Sequence, residues 1–211
     1  MTNDGRRHAA SLDDTLDFVN TLELSEAGPI EHLPSLDAAL AWLADRGLLG
    51  ADAASAERRA AGIGRGAAGR LTGIHRVRDA LREVADAVAV ERPADPEAVE
   101  IVNRTLRSRE VIELAPTAEG ISVRERDAID ALGDALARLV EPLAETVISG
   151  RADRLRVCEN ETCRWVFFDR SRGGRRRWCD MRTCGNRVKA RRHRERARGA
   201  RAETPPDPPT A

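Results

Sequence analysis

Residues 158–196 read CENETCRWVFFDRSRGGRRRWCDMRTCGNRVKARRHRER, and this stretch decides how the rest of the chain is read. It holds all four cysteines of the 211-residue protein and four of its six aromatic residues. Four residues lie between Cys158 and Cys163, and four between Cys179 and Cys184, with fifteen residues between the pairs. Short tandem pairs of this kind let four thiolates converge on one tetrahedral ion, with Zn–S near ~2.3 Å. The spacing therefore marks Cys158, Cys163, Cys179 and Cys184 as candidate ligands of a structural Zn²⁺. A disulfide redox switch and an iron–sulfur cluster are the rival chemistries for the same residues. A segment this small cannot bury a core of its own. The metal is expected to supply much of its folding free energy, on the order of 10–16 kcal/mol for structural zinc peptides.

Local pattern fills in the module. Trp165–Phe168 reads as a strand, Asp169–Gly174 as a turn, and Arg175–Trp178 as an antiparallel return. Gly185 is expected to take the positive φ with which a chain often leaves a metal knuckle, and Asn186 to cap a helix. In that helix Arg187, Arg191, Arg194, Arg198 and Arg201 recur at spacings of four and three, forming one stripe. With the hairpin arginines, this gives a polycationic surface. Arg175, Arg176, Arg177, Arg187, Lys189, Arg191, Arg192, Arg194 and Arg198 are the candidate nucleic-acid contacts. The bland alternative is a solvated basic tail.

The formal net charge of zero hides a division. Residues 151–201 hold 18 basic against 6 acidic residues, or +12, whereas residues 1–150 hold 17 against 27, or −10. Such asymmetry points to a nucleic-acid or other acidic partner for the basic part. No apolar run approaches the ~18–20 residues of a membrane helix. Arg6 and Arg7 are not followed by an apolar core, so no signal peptide is expected. The expected location is the cytoplasm, where thiols stay reduced.

Residues 1–150 read as mainly α-helical with one β-hairpin. Ser11 and Asp14 form a capping box before an apolar helical pattern through Leu12, Leu16, Val19 and Leu22 or Glu23. Ser35 caps a second helix that ends at Gly47. Five glycines between 62 and 73 predict a loop. A long amphipathic helix follows from Leu71 to Val88, and another opens at Asp95-Pro96. REVIELAPTAEGISVRE predicts two strands around Gly120, and Ile129–Ser149 a last helix, with Pro142 inside it. His8, His32 and His75 lack ligand-type neighbours and are expected at the surface or locally satisfied. Trp42 is expected against the core. No set of acid, base and nucleophile converges, so an enzyme is not expected.

At WCDMRTCGNRVKARRHR the chain resembles the CGNR zinc-finger family, through the run Cys184-Gly185-Asn186-Arg187 and the preceding CENETCRWVFFDRSRGGRRRWC. TLDFVNTL and LAWLADRGLL are similar to the ABATE domain that precedes this finger. The resemblance implies a bacterial transcription regulator, with zinc on the four cysteines and DNA bound by the finger. It names neither bases nor an effector. The expected layout is an α-rich ABATE-like domain over 1–150, serving in sensing or dimerisation. A zinc-stabilised ββα-like finger follows over 151–198, then a disordered tail over 199–211. The function expected is DNA binding by the finger. A structured-RNA or ribosome-associated binder and a redox-responsive zinc interaction protein are the alternatives; homodimerisation and the N-terminal effector are left open.

Overall fold

The computed structural model describes residues 9–62, 64–109, 111–117, 120–126 and 130–202. His8, Ile129 and residues 203–211 of the expected tail lie outside the described residues. Helix α1 (Leu12–Val19) starts with the expected capping box: Ser11 Oγ accepts from the Asp14 N–H at 3.1 Å, and Asp14 Oδ2 from the Ser11 N–H at 2.9 Å. It is shorter than its apolar pattern predicts. Strands β1 (Leu22–Ser25) and β2 (Gly28–Glu31) pair antiparallel, in register Leu22↔Glu31 to Ser25↔Gly28. Leu22 and Glu23 thus belong to a hairpin that adds to the single one expected. Its two-residue turn is made possible by Gly28 at φ +116°.

Helices α2 (Leu36–Asp45), α3 (Ala51–Ala61), α4 (Arg65–Ala89) and α5 (Pro96–Leu106) follow. Ser35 and Asp95 serve as the expected caps, and Pro96 is the first helical residue of α5. The glycine-rich loop expected over 62–73 is confined to its start. Gly62 and Gly64 have positive φ, but α4 begins at Arg65 and runs through Gly66, Gly69 and Gly73. Gly66 is required there, because a Cβ would lie 2.1 Å from the Ala61 carbonyl oxygen. Gly69 and Gly73 face open space. Each costs about 1 kcal/mol relative to Ala, too little to break a helix anchored by buried Ile74 and Leu81. Strands β3 (Val111–Thr117) and β4 (Gly120–Arg126) form the predicted hairpin, and α6 (Ala131–Ile148) closes the N-terminal part.

The core lies between α1, α2, α4 and α6, around Phe18, Leu40, Leu81, Leu139 and Val140. Trp42 packs on it, with its ring 5.5 Å from that of Phe18. Buried charges tie the layers. Arg78 of α4 bonds Glu31 of β2 at 2.7 Å. Burial works to raise the Glu31 carboxyl, but Arg78 and the Leu33 N–H hold it below its ordinary value. His75 meets the Leu33 carbonyl and His32 meets Glu23, each at 3.0 Å, so both histidines are locally satisfied. No described helix is long and apolar enough to cross a membrane.

After a 3₁₀ turn (Ala152–Arg154), β5 (Leu155–Val157) pairs antiparallel with β6 (Val166–Phe168), in register Leu155↔Phe168 to Val157↔Val166. A π turn (Met181–Gly185) then leads into α7 (Asn186–Ala202). The order is ββα, as expected, but the partner of β6 differs. Arg175–Trp178, expected as the antiparallel partner of Trp165–Phe168, is not that partner; β5, just before the first cysteine, takes that place. Arg175–Trp178 forms no strand pair with β6; its Arg177 carbonyl accepts from the Glu159 N–H at 2.9 Å, and its Arg176 N–H donates to Asp169 at 2.8 Å. Leu155 and Val166 belong to the main core, which the small module therefore shares.

Candidate metal centre and basic cleft

The β5–β6 connection carries Cys158 and Cys163. The Cys158 N–H reaches the Trp165 carbonyl at 2.8 Å, and the N–H groups of Cys163 and Arg164 share the Asn160 carbonyl at 2.8 and 3.0 Å. This tight turn obliges Arg164 to take φ +56°. The second pair sits on a turn started by Asp180, whose Oδ1 accepts from the Thr183 N–H at 2.8 Å. Asp180, rather than the expected Asn186, is thus the capping residue. Asn186 already has helical backbone and donates its side-chain amide to the Arg182 carbonyl at 3.1 Å. Gly185 is not at positive φ as expected. It fits because a Cβ would come within 2.5 Å of Met181 Sδ and 3.4 Å of the Trp178 ring.

These turns bring the four sulfurs within 4.8 Å of one another. The Cys163–Cys179 and Cys179–Cys184 separations are 3.7 and 3.6 Å. A tetrahedral ion with metal–sulfur bonds of ~2.3 Å requires edges of about 3.8 Å, so the donor set fits such an ion. Charge argues the same way. Without a cation, hydrogen bonding from Cys163 and Cys179 brings Cys158 down to about 2. Cys163 is pushed up to about 12, first by its bond to Cys158, and Cys179 is also driven upward by its two neighbours. One thiolate is favoured and further ones are opposed; a divalent cation removes that opposition. Asn160, 1% exposed, points its amide at Cys184 Sγ at 3.6 Å. Trp165, Phe167 and Trp178 pack around the sulfurs.

The predicted basic residues divide. Arg177 forks onto Glu159, its Nε lying 2.7 and 2.8 Å from the two carboxylate oxygens, and its guanidinium lies over the Trp178 ring. Arg176 donates to the Cys179 carbonyl and lies 5.0 Å from the centroid of the Phe167 ring. These two hold the return segment to the metal knuckles. Arg175, Arg187, Lys189, Arg192 and Arg194 are exposed and have no carboxylate within ion-pair distance among the described residues. Arg191 reaches Glu161 and Glu195 only at 4.0 Å. Arg198 falls within α7.

Arg187, Arg191 and Arg194 form one wall of a cleft of about 960 Å³, with Trp165 and Phe167 also lining it. The remaining lining includes Asp13 and Asp17 of α1 and Glu23 and Glu26 of the β1–β2 hairpin. The two parts are firmly joined here by contacts far apart in sequence. The Asn20 side-chain amide donates to the Val166 carbonyl at 2.9 Å, and its Oδ1 accepts from the Val166 N–H at 3.0 Å. Arg170 forks onto Asp13 at 2.9 and 3.0 Å, and Arg82 of α4 donates to the Arg164 carbonyl. Partners 146 and 157 residues apart leave no local pattern to read.

Residues 15–150 match the family described as "Putative stress-induced transcription regulator", ABATE. The chain belongs to the ABATE family. Residues 154–197 match the CGNR zinc finger. A comparison with curated proteins gave no match. The ABATE match starts within α1 and runs through α6, and the finger match begins at the last residue of the 3₁₀ turn and takes in the four cysteines and most of α7. Asn20 and Arg82 lie within the ABATE match and grip the finger, and Asp13 does so from just before it.

Proposed function

We propose that this ABATE-family chain is a transcription regulator of the cytoplasm whose finger holds one structural Zn²⁺ and binds duplex DNA through its arginines. The observation that carries the reading is the placement of α7. It leaves directly from the fourth ligand, Cys184, and sets three guanidiniums on one wall of an open cleft. Cys158, Cys163, Cys179 and Cys184 would hold the ion, which supplies the cross-link that fixes both knuckles and the start of α7. Four thiolates fill a tetrahedral site, so the role proposed is structural rather than catalytic. Arginine at a helix face suits phosphate contacts and bidentate reading of guanine. The test is selection from a random duplex pool with the zinc-loaded full chain, followed by competition with structured RNA and single strands. An enriched duplex motif that resists both competitors is expected. Tighter binding to structured RNA would replace DNA with RNA in this reading.

A further inference from the structure

A second hollow, of about 530 Å³, lies between the 3₁₀ turn, the end of β6 and the loop that follows it. Arg151, Arg154, Arg170 and Arg172 line it around the Phe168 ring. The guanidiniums of Arg151 and Arg170 lie 5.9 and 5.5 Å from the Phe168 centroid. The loop is built rather than incidental. Asp169 is 1% exposed, and its carboxylate accepts the N–H groups of Ser171 and Arg176 at 2.9 and 2.8 Å. Arg154 bonds the Ser171 carbonyl at 2.9 Å, and a Cβ on Gly174, at φ +59°, would come 2.7 Å from Arg154 Nη1. The loop therefore closes around that guanidinium.

Two carboxylates also line the hollow. Asp169 is occupied by backbone donors, and Asp153 approaches Arg154 only to 3.9 Å. Arg151 and Arg172 have no carboxylate within ion-pair distance among the described residues. Phe168 and Arg170 line both this hollow and the larger cleft that holds Arg187, Arg191 and Arg194. These two residues thus form the ridge between the hollow and the cleft, with the Arg170 guanidinium also bonded to Asp13.

We infer that the Arg151–Arg154–Arg172 hollow is a second phosphate-binding site, which takes the backbone of the same nucleic acid that α7 engages. The inference rests on the nucleic-acid reading of α7 and adds a site that this reading lacks. Guanidiniums in a fixed fork suit phosphodiester oxygens, and the ridge at Arg170 lets one strand pass from the cleft to the hollow.

The test uses the zinc-loaded full chain. Pyrophosphate is the probe, and the arginine Nε–Hε resonances of Arg151, Arg154 and Arg172 are followed by NMR. Saturable shifts of all three are expected in the wild type, and the Arg154 shift should vanish in Arg151→Ala/Arg172→Ala. In duplex-DNA titrations the same double variant should flatten the slope of log affinity against log salt by about 1.8, and weaken binding roughly tenfold or more at 0.1 M salt. Arg151→Lys/Arg172→Lys should recover most of the slope, because the charges return. A double Ala variant with the wild-type slope and bound zinc overturns the inference while leaving DNA binding by α7 in place. Unmoved arginine resonances overturn it as well. If pyrophosphate saturates the site but the wild type ignores duplex DNA, the anion site stands and the DNA reading of α7 fails.

Discussion

Asn20 closes α1 with its backbone and gives both ends of its side-chain amide to Val166 of β6. Removing it would leave a buried N–H and a buried carbonyl of β6 without partners. Asn20→Ala should therefore cost about 2 kcal/mol or more, measured by urea unfolding of the zinc-loaded full chain. Asn20→Asp should be no better, since it offers the Val166 carbonyl no donor. Asp169 works locally. Burial acts to raise its carboxyl, but the Arg176 N–H and the donors of Ser171 bring it to about 2, below the ordinary 3.8. A depressed carboxyl stabilises the fold fully above its unfolded value and loses that effect as the pH falls through the folded one. The stability gap between wild type and Asp169→Asn should accordingly be constant from pH 5 to 8 and shrink below about pH 4. Urea midpoints across that range would show it, and a gap that widens in acid would contradict it. At this scale the sequence was most informative where chemistry is tied to spacing, at the four cysteines. Asn20 was silent, because a polar residue at a helix end has many uses and its partner is far along the chain.

The capped helices and the β3–β4 hairpin were legible because caps, turn glycines and apolar periods act within a few residues. Two elements were misread for the same physical reason. Tertiary packing carried α4 through three glycines that favour loops in isolation, and β5 displaced Arg175–Trp178 as the partner of β6. The β1–β2 hairpin was hidden because each strand has four residues, too few to establish an alternation against a helical one. The stripe on α7 was legible, and the structure separates its members from Arg176 and Arg177, which brace the metal knuckles. Arg191→Ala and Arg194→Ala should each flatten the salt slope of duplex binding by about 0.9 without loss of zinc. Arg177→Ala should instead loosen the Glu159 contact and raise the rate of zinc release to a chelator. Wild-type salt slopes in both Arg191→Ala and Arg194→Ala would mean that neither residue touches phosphate.

The finger and the ABATE domain share one core through Leu155 and Val166, and polar clamps from Asn20, Asp13 and Arg82 hold its surface. Residues 151–202 alone would expose that face of β5–β6. The isolated segment is thus expected to bind zinc yet remain poorly ordered outside the knuckles, with far fewer dispersed NMR resonances than the finger shows in the full chain. A well-dispersed spectrum from the isolated segment would show that the shared core is dispensable. The division of charge also gains a spatial meaning. Four carboxylates of the acidic domain line the cleft that holds the arginines, so a polyanion must follow the basic wall. Composition announced the two charges but not that they line the same cleft. The most direct measurement of the central claim is the salt dependence of duplex-DNA binding by the full chain, zinc-loaded and after chelation. The account predicts a log–log slope of about −2.7 or steeper for the zinc-loaded chain, since Arg187, Arg191 and Arg194 alone give that much, and loss of that binding once zinc is removed. A slope near zero, or binding that survives chelation unchanged, would contradict it.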